Sequence, residues 1–169
     1  MGNHKDLSNK EAVAKIKDII MSAETCMFTT DLNKIPLQTR PMGTLDVDDA
    51  GHILFFSNCN SEKNKDILYN NKVQLFHSNK SSAEYLSIFG QASIIVDKEQ
   101  AQRLWTPIAR AWFKDGANDA ELTIIKVKPL KAHYWDTKHN KMVSLFRILT
   151  NVFAEAAIND GVEGNIIFQ

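Results

Sequence analysis

Apolar residues recur along this chain in two rhythms. Near the start, Val13, Ile16, Ile19 and Ile20 fall at helical spacing behind Ser8-Asn9-Lys10-Glu11, a capping box, and predict a helix up to about Ala23. Strand patterning then takes over. Thr25 to Thr30 and Pro36 to Val47 read as strands joined by a turn near Asn33-Lys34. Asp48-Asp49-Ala50-Gly51 reads as the hairpin turn into a strand over His52 to Ser57. Ser61 is placed to cap a short helix that reaches Tyr69 and stops at Asn70-Asn71. The sheet resumes over Val73 to His77 and Glu84 to Val96, with Gly90 marking a bulge or a close backbone approach. Asp97 with Gln100 caps a helical stretch through Trp105, Pro107 opens another turn, and Phe113-Lys114-Asp115-Gly116 ends it. Leu122 to Val127 and Lys131 to Trp135 read as the last long strands, separated at Pro129. Met142, Leu145, Phe146, Leu149, Val152, Phe153 and Ala156 mark an amphipathic C-terminal helix, and Asn165 to Phe168 a short final strand.

Strands in succession, with helices inserted rather than alternating, argue against a doubly wound parallel sheet. Antiparallel strands of this length hide their edges by closing on themselves. The expected fold is therefore mainly β within the α+β class: an antiparallel β-barrel of six to seven strands with peripheral helices. At 169 residues, with no repeat or linker, the chain reads as a single domain. The barrel is expected over about residues 12–136, and the C-terminal helix and short strand within 140–169.

Composition narrows the partners. Twenty basic and twenty acidic side chains cancel, so no overall field draws the protein to nucleic acid or an anionic membrane. No apolar run approaches the roughly 20 residues that span a bilayer. The start lacks the apolar core of a signal peptide, and Asp6 breaks the myristoylation pattern. Cys26 and Cys59 form no CxxC motif, which fits a reduced, cytoplasmic setting. The histidines never fall at metal-ligand spacing, and Asp46 to Gly51 opens a calcium-like loop that ends on Ser57 instead of a carboxylate. No metal site is expected. No nucleophile motif or general acid–base pair stands out, so no catalytic residue is identified; any hard chemistry falls to a cofactor.

One stretch does carry chemistry. In Phe55-Phe56-Ser57-Asn58-Cys59-Asn60-Ser61-Glu62-Lys63-Asn64-Lys65 an apolar strand breaks into a polar turn that opens a helix. Free N–H groups and the positive end of a helix dipole make such a junction a natural phosphate seat. Lys63 and Lys65 add charge, and Arg40 on the preceding strand offers a guanidinium fork. The plainer alternative is an ordinary capped helix with solvated lysines. Trp105 and Trp112 suit either packing or the border of a flat aromatic ligand.

Arg40-Pro41-Met42, Phe56-Ser57-Asn58-x-x-Ser61-x-Lys63, Tyr85 to Ala92, Leu104 to Pro107, Trp112 to Gly116 and Tyr134-Trp135-Asp136 occur in this order. With these motifs the chain resembles the pyridoxamine 5'-phosphate oxidase-like FMN-binding split barrels, specifically the general stress protein 26 branch, over roughly Ala12 to Asp136. The resemblance implies FMN, with FAD as the alternative. Arg40, Lys63 and Ser61 would hold its phosphate, the backbone of Pro41 and Met42 would lie along the ring, and Ser57 would bond near the ribityl chain or ring edge. It also implies a homodimer with the flavin at the subunit interface, Gly90 and Gln91 approaching from the second copy. Glu62 and Leu45 stand where the oxidase carries an arginine and a lysine, and residues 140–169 lack its C-terminal substrate segment. The implied activity is thus a low-specificity flavin oxidoreductase of the general stress type rather than pyridoxamine phosphate oxidation. A non-catalytic protein that sequesters flavin, and a barrel that keeps only its dimer scaffold, are the alternatives.

Overall fold

The computed structural model of the chain describes residues 9–136 and 141–144. Helix α1 (Asn9–Ala23) buries Ile16, Ile19 and Ile20, the stripe its spacing predicts. Ser8 lies outside the described residues. Strands β1 (Thr25–Thr30), β2 (Gln38–Gly43), β3 (Asp46–Val47) and β4 (Ile53–Asn58) follow, then helix α2 (Glu62–Tyr69) and strands β5 (Lys72–Asn79) and β6 (Glu84–Ile95). Helix α3 (Lys98–Leu104) starts where Asp97 accepts a hydrogen bond from the Gln100 N–H at 2.9 Å. A 3-10 turn over Pro107–Ala111 precedes β7 (Leu122–Asp136) and β8 (Lys141–Ser144).

The strands form one antiparallel sheet in the order β2-β1-β5-β6-β7-β4-β3, with β8 added on β7. The two ends of this path are neighbours in sequence. Thr44 donates its N–H to Glu24 O, continuing the β1 ladder, and Leu45 donates to Leu54 O, continuing that of β4. The chain itself, not a ladder between β2 and β3, therefore joins the ends of the curled sheet. This is an antiparallel split barrel, as the sequence predicts.

Alternation along the strands sorts two apolar layers. Phe28, Phe55, Val73, Leu75, Ile88, Ile125 and Val127 fill the inside together with the α1 stripe, and the Phe28 and Phe55 rings meet edge to face at 5.1 Å. Outside, Leu54, Ala101, Ala109, Phe113, Leu122 and Ile124 form a second layer, so β4 is covered on both faces.

Three expectations are corrected. Pro36 to Val47 is not one strand: residues 31–37 form a loop, and the rest divides at Thr44-Leu45 because each half pairs with a different partner. Pro129 does not interrupt the sheet. It sits opposite Gly90, where the β6–β7 register shifts and a bulge absorbs the missing N–H, so β7 runs unbroken. Met142 lies in strand β8, paired with Trp135, and not in a helix. The remainder of the expected C-terminal helix and the strand at Asn165 to Phe168 lie outside the described residues.

Candidate functional site

The polar turn after β4 behaves as its residues dictate. Asn58 accepts the Asn60 N–H through its side chain at 2.8 Å, and the chain enters α2 with Ser61 in the extended N-cap conformation. The Ser61 hydroxyl does not cap a backbone N–H as expected. It faces Asn64 Oδ1 and Ser57 Oγ, each at 3.3 Å, because the Asn64 side chain is drawn into the core. There Asn64 accepts from Ser57 Oγ at 2.6 Å and donates to Thr123 Oγ1 at 3.0 Å, and Thr123 donates to Ser57 O at 2.8 Å. This closed ring of bonds fixes the start of α2 against β4 and β7. The N–H groups of Glu62 and Lys63, in the first turn, make no hydrogen bond among the described residues.

Arg40 reaches this helix from β2. Its Nη1 donates to Thr30 Oγ1 at 2.6 Å, and its Nη2 lies 3.8 Å from Asp66 Oδ2 in α2. Thr30 in turn donates to Asp66 Oδ2 at 2.6 Å. Lys63, one turn before Asp66, shares its helix face and makes no hydrogen bond or ion pair among the described residues. Burial lowers the pKa of the Lys63 ammonium, and the Arg40 guanidinium lowers it further. Burial also lowers Arg40, while Asp66 partly offsets the effect. Two partly desolvated cations thus sense each other, and only Arg40 has a carboxylate beside it among the described residues. That is a costly arrangement for an empty surface and a favourable one for an anion.

The fit to a phosphate is chemical as well as electrostatic. A planar donor fork beside Asp66, a point charge on Lys63 and unpaired N–H groups in the first turn all belong to or touch α2. Glu62 does not spoil it, for its carboxylate is exposed and paired with Lys65 at 2.6 Å. A concavity of about 450 Å³ lined by Ile67, Asn71, Ala92 and Ile94 lies instead at the C-terminal end of α2, where the helix dipole repels an anion.

Of the residues singled out in the sequence, Ser57 meets Ser61, and Arg40 lies near enough to Lys63 to lower its pKa. Ser57 is wholly buried with its hydroxyl hydrogen given to Asn64. Pro41 is exposed on β2, and Met42 packs into the inner apolar layer. The outer margin of β2 carries no ladder among the described residues. Gln91 is half-buried on β6 beside Ala92, whose N–H bonds Asn71 O just past α2. Trp105 packs against Phe56, ring centroids 5.9 Å apart, and Trp112 stands 69 % exposed. Thr30, Asn64 and Asp66 escaped the sequence reading. The i, i+3 spacing of Lys63 and Asp66 was the one available signal for the last of them.

Comparisons with known proteins agree with this architecture. The family profile described as "Pyridoxamine 5'-phosphate oxidase like" matches residues 11–159. Protein bli-3 of Neurospora crassa is 29% identical over 133 residues, which cover 71% of this chain and 64% of that protein. The chain therefore matches less than two thirds of this curated relative's length. The crystal structure of general stress protein 26 from Bacillus anthracis superposes with a TM-score of 0.65 at 22% identity, over 80% of this chain and 97% of that one. The general stress FMN/FAD binding protein from Xanthomonas citri gives a TM-score of 0.64 at 22% identity, over 93% and 99%.

Proposed function

The chain belongs to the pyridoxamine 5'-phosphate oxidase-like family, and from that premise we propose that it binds a flavin, FMN in preference to FAD, at the N-terminus of α2. The observation that carries this reading is that Arg40 and an unpaired Lys63 neighbour each other at α2, a helix with free first-turn N–H groups. Arg40 and Lys63 neutralise the phosphate, and Ser61 with the Glu62 and Lys63 N–H groups completes its shell. The backbone of Pro41 and Met42, on the unladdered margin of β2, lies along the ring, with Ser57 behind the seat and Gln91, Trp105 and Trp112 as further ring contacts. The solved relative from Xanthomonas citri, described as an FMN/FAD binding protein, supports the cofactor class.

The same reading includes a homodimer. Met27, Phe76, Tyr85 and Trp135 are exposed on the outer face of β1, β5, β6 and β7, with Met27 opposite Phe76 and Tyr85 opposite Trp135. A contiguous apolar face of this kind suits a partner subunit. When bound, the flavin supplies reversible electron transfer, which makes a low-specificity oxidoreductase the leading activity. Around the seat, the protein's own groups bind and orient: Asp66 is tied to Thr30, and the exposed Glu62 carboxylate is paired with Lys65. That observation favours a flavin store as the second reading, since among the described residues both carboxylates of the seat are already engaged.

The visible absorption spectrum of the purified protein, with mass spectrometry of the released ligand, tests the cofactor. Arg40→Ala and Lys63→Ala each weaken FMN by about 1–3 kcal/mol, the range for charge-assisted hydrogen bonds. Unchanged affinity in the double variant refutes the assignment.

A further inference from the structure

Arg40 and Lys63 repel each other, so something must hold the guanidinium in a partly buried position beside a second cation. An arginine side chain left to itself would turn its head to water. We propose that Thr30 and Asp66 are positioning residues of the phosphate seat: they fix Arg40 in its binding orientation and so set the preference for a phosphorylated over an unphosphorylated flavin. This rests on the flavin-phosphate reading given above and adds two residues to it.

The geometry is a relay. Thr30 is wholly buried at the end of β1 and spends its hydroxyl hydrogen on Asp66 Oδ2 at 2.6 Å. That orients a lone pair of Thr30 Oγ1 toward Arg40, which donates Nη1 to it at 2.6 Å. Asp66 Oδ2 lies 3.8 Å from Nη2, close enough to attract it but beyond hydrogen-bonding distance. Arg40 is therefore anchored by one N–H while its other donors stay open to an anion. Asp66 itself is fixed by its place in α2, three residues from Lys63, so the relay sets the guanidinium relative to the ammonium.

Coulomb's law alone makes the opposite forecast for Asp66. A carboxylate beside an anion site repels the ligand, and its removal would tighten binding. Positioning and bare charge thus differ in sign, and one substitution separates them. The full chain, freed of ligand, is titrated with FMN and with riboflavin by flavin fluorescence. Wild type is expected to bind FMN more tightly than riboflavin. Thr30→Val lowers that preference about tenfold, with riboflavin unchanged, and Thr30→Ser restores it. Asp66→Asn lowers it as well. A rise in FMN affinity in Asp66→Asn overturns the proposal. So does equal weakening of both ligands in Thr30→Val, no effect there, or failure of Thr30→Ser to rescue. If Thr30→Val does not fold, the sign of the Asp66→Asn effect decides alone. A wild-type protein that binds the two flavins equally defeats the phosphate seat itself, an outcome readable before any variant is made.

Discussion

His77 stands on the inner face of β5 with 2 % of its surface exposed, opposite Cys26 of β1. Its Nε2 has Thr44 Oγ1 at 3.4 Å, and its Nδ1 lacks a hydrogen-bond partner among the described residues. Burial pushes the imidazole pKa from 6.5 down to about 4. The folded value is below the unfolded one, so between these pH values the unfolded chain takes up a proton that the native protein refuses. Stability is thus full above pH 6.5 and falls as pH drops toward 4, by about 3 kcal/mol from this group. Denaturant unfolding at pH 7 and pH 4.5 should show the loss, and His77→Phe should remove most of it. The same scale explains what the sequence disclosed about the site. Arg40, Ser61 and Lys63 could be nominated as candidates because each sits at a landmark, a strand residue or the start of a helix. Thr30 and Asn64 were not. Their roles exist only once β1, β4, β7 and α2 are packed together, and nothing local distinguishes them from ordinary polar residues.

Gly90 and Pro129 show how one strand answers another. A Cβ on Gly90 would lie 2.8 Å from Lys128 O and 2.8 Å from Val127 Cγ1, so only glycine lets β6 and β7 approach this closely. The register shift at Phe89/Gly90 then brings Pro129 to a place where its missing N–H breaks no regular ladder. Gly90→Ala is expected to destabilise the protein by about 1–3 kcal/mol, measured as a lower denaturant midpoint, because the backbone oxygen cannot yield as a side chain would. The continuity of β7 was hidden for a related reason: a proline inside an apolar run signals a break unless the glycine across from it is known. The α3 cap at Asp97, by contrast, depends on residues three apart in sequence and was legible in advance. Ser61 marks the boundary between the two cases, its position readable and its hydroxyl redirected by Asn64.

At the level of the whole molecule, the antiparallel barrel followed from strand count, inserted helices and the need to hide edges. The way it closes did not, since Gly43 before Thr44-Leu45 does not by itself disclose that the two halves pair with different strands. Both apolar layers are internally satisfied, yet Phe76 is 49 % exposed and Met27 44 %, directly opposite each other on the outer face. If that face joins two copies, light scattering will give a dimer mass for the wild type. Phe76→Glu, which places charge in the apolar row, will then shift it toward monomer and weaken flavin retention together. A monomeric wild type would remove the dimer from the proposed function and leave the phosphate seat of each copy in place.

Among the described residues strand β2 is laddered along one flank only, and it is the strand that bears Arg40. A stave fastened on a single side breathes more readily than one clasped on both. Whatever anion settles against its guanidinium therefore stiffens an edge of the wall, so that some of its attraction surfaces as rigidity rather than as tightness of binding.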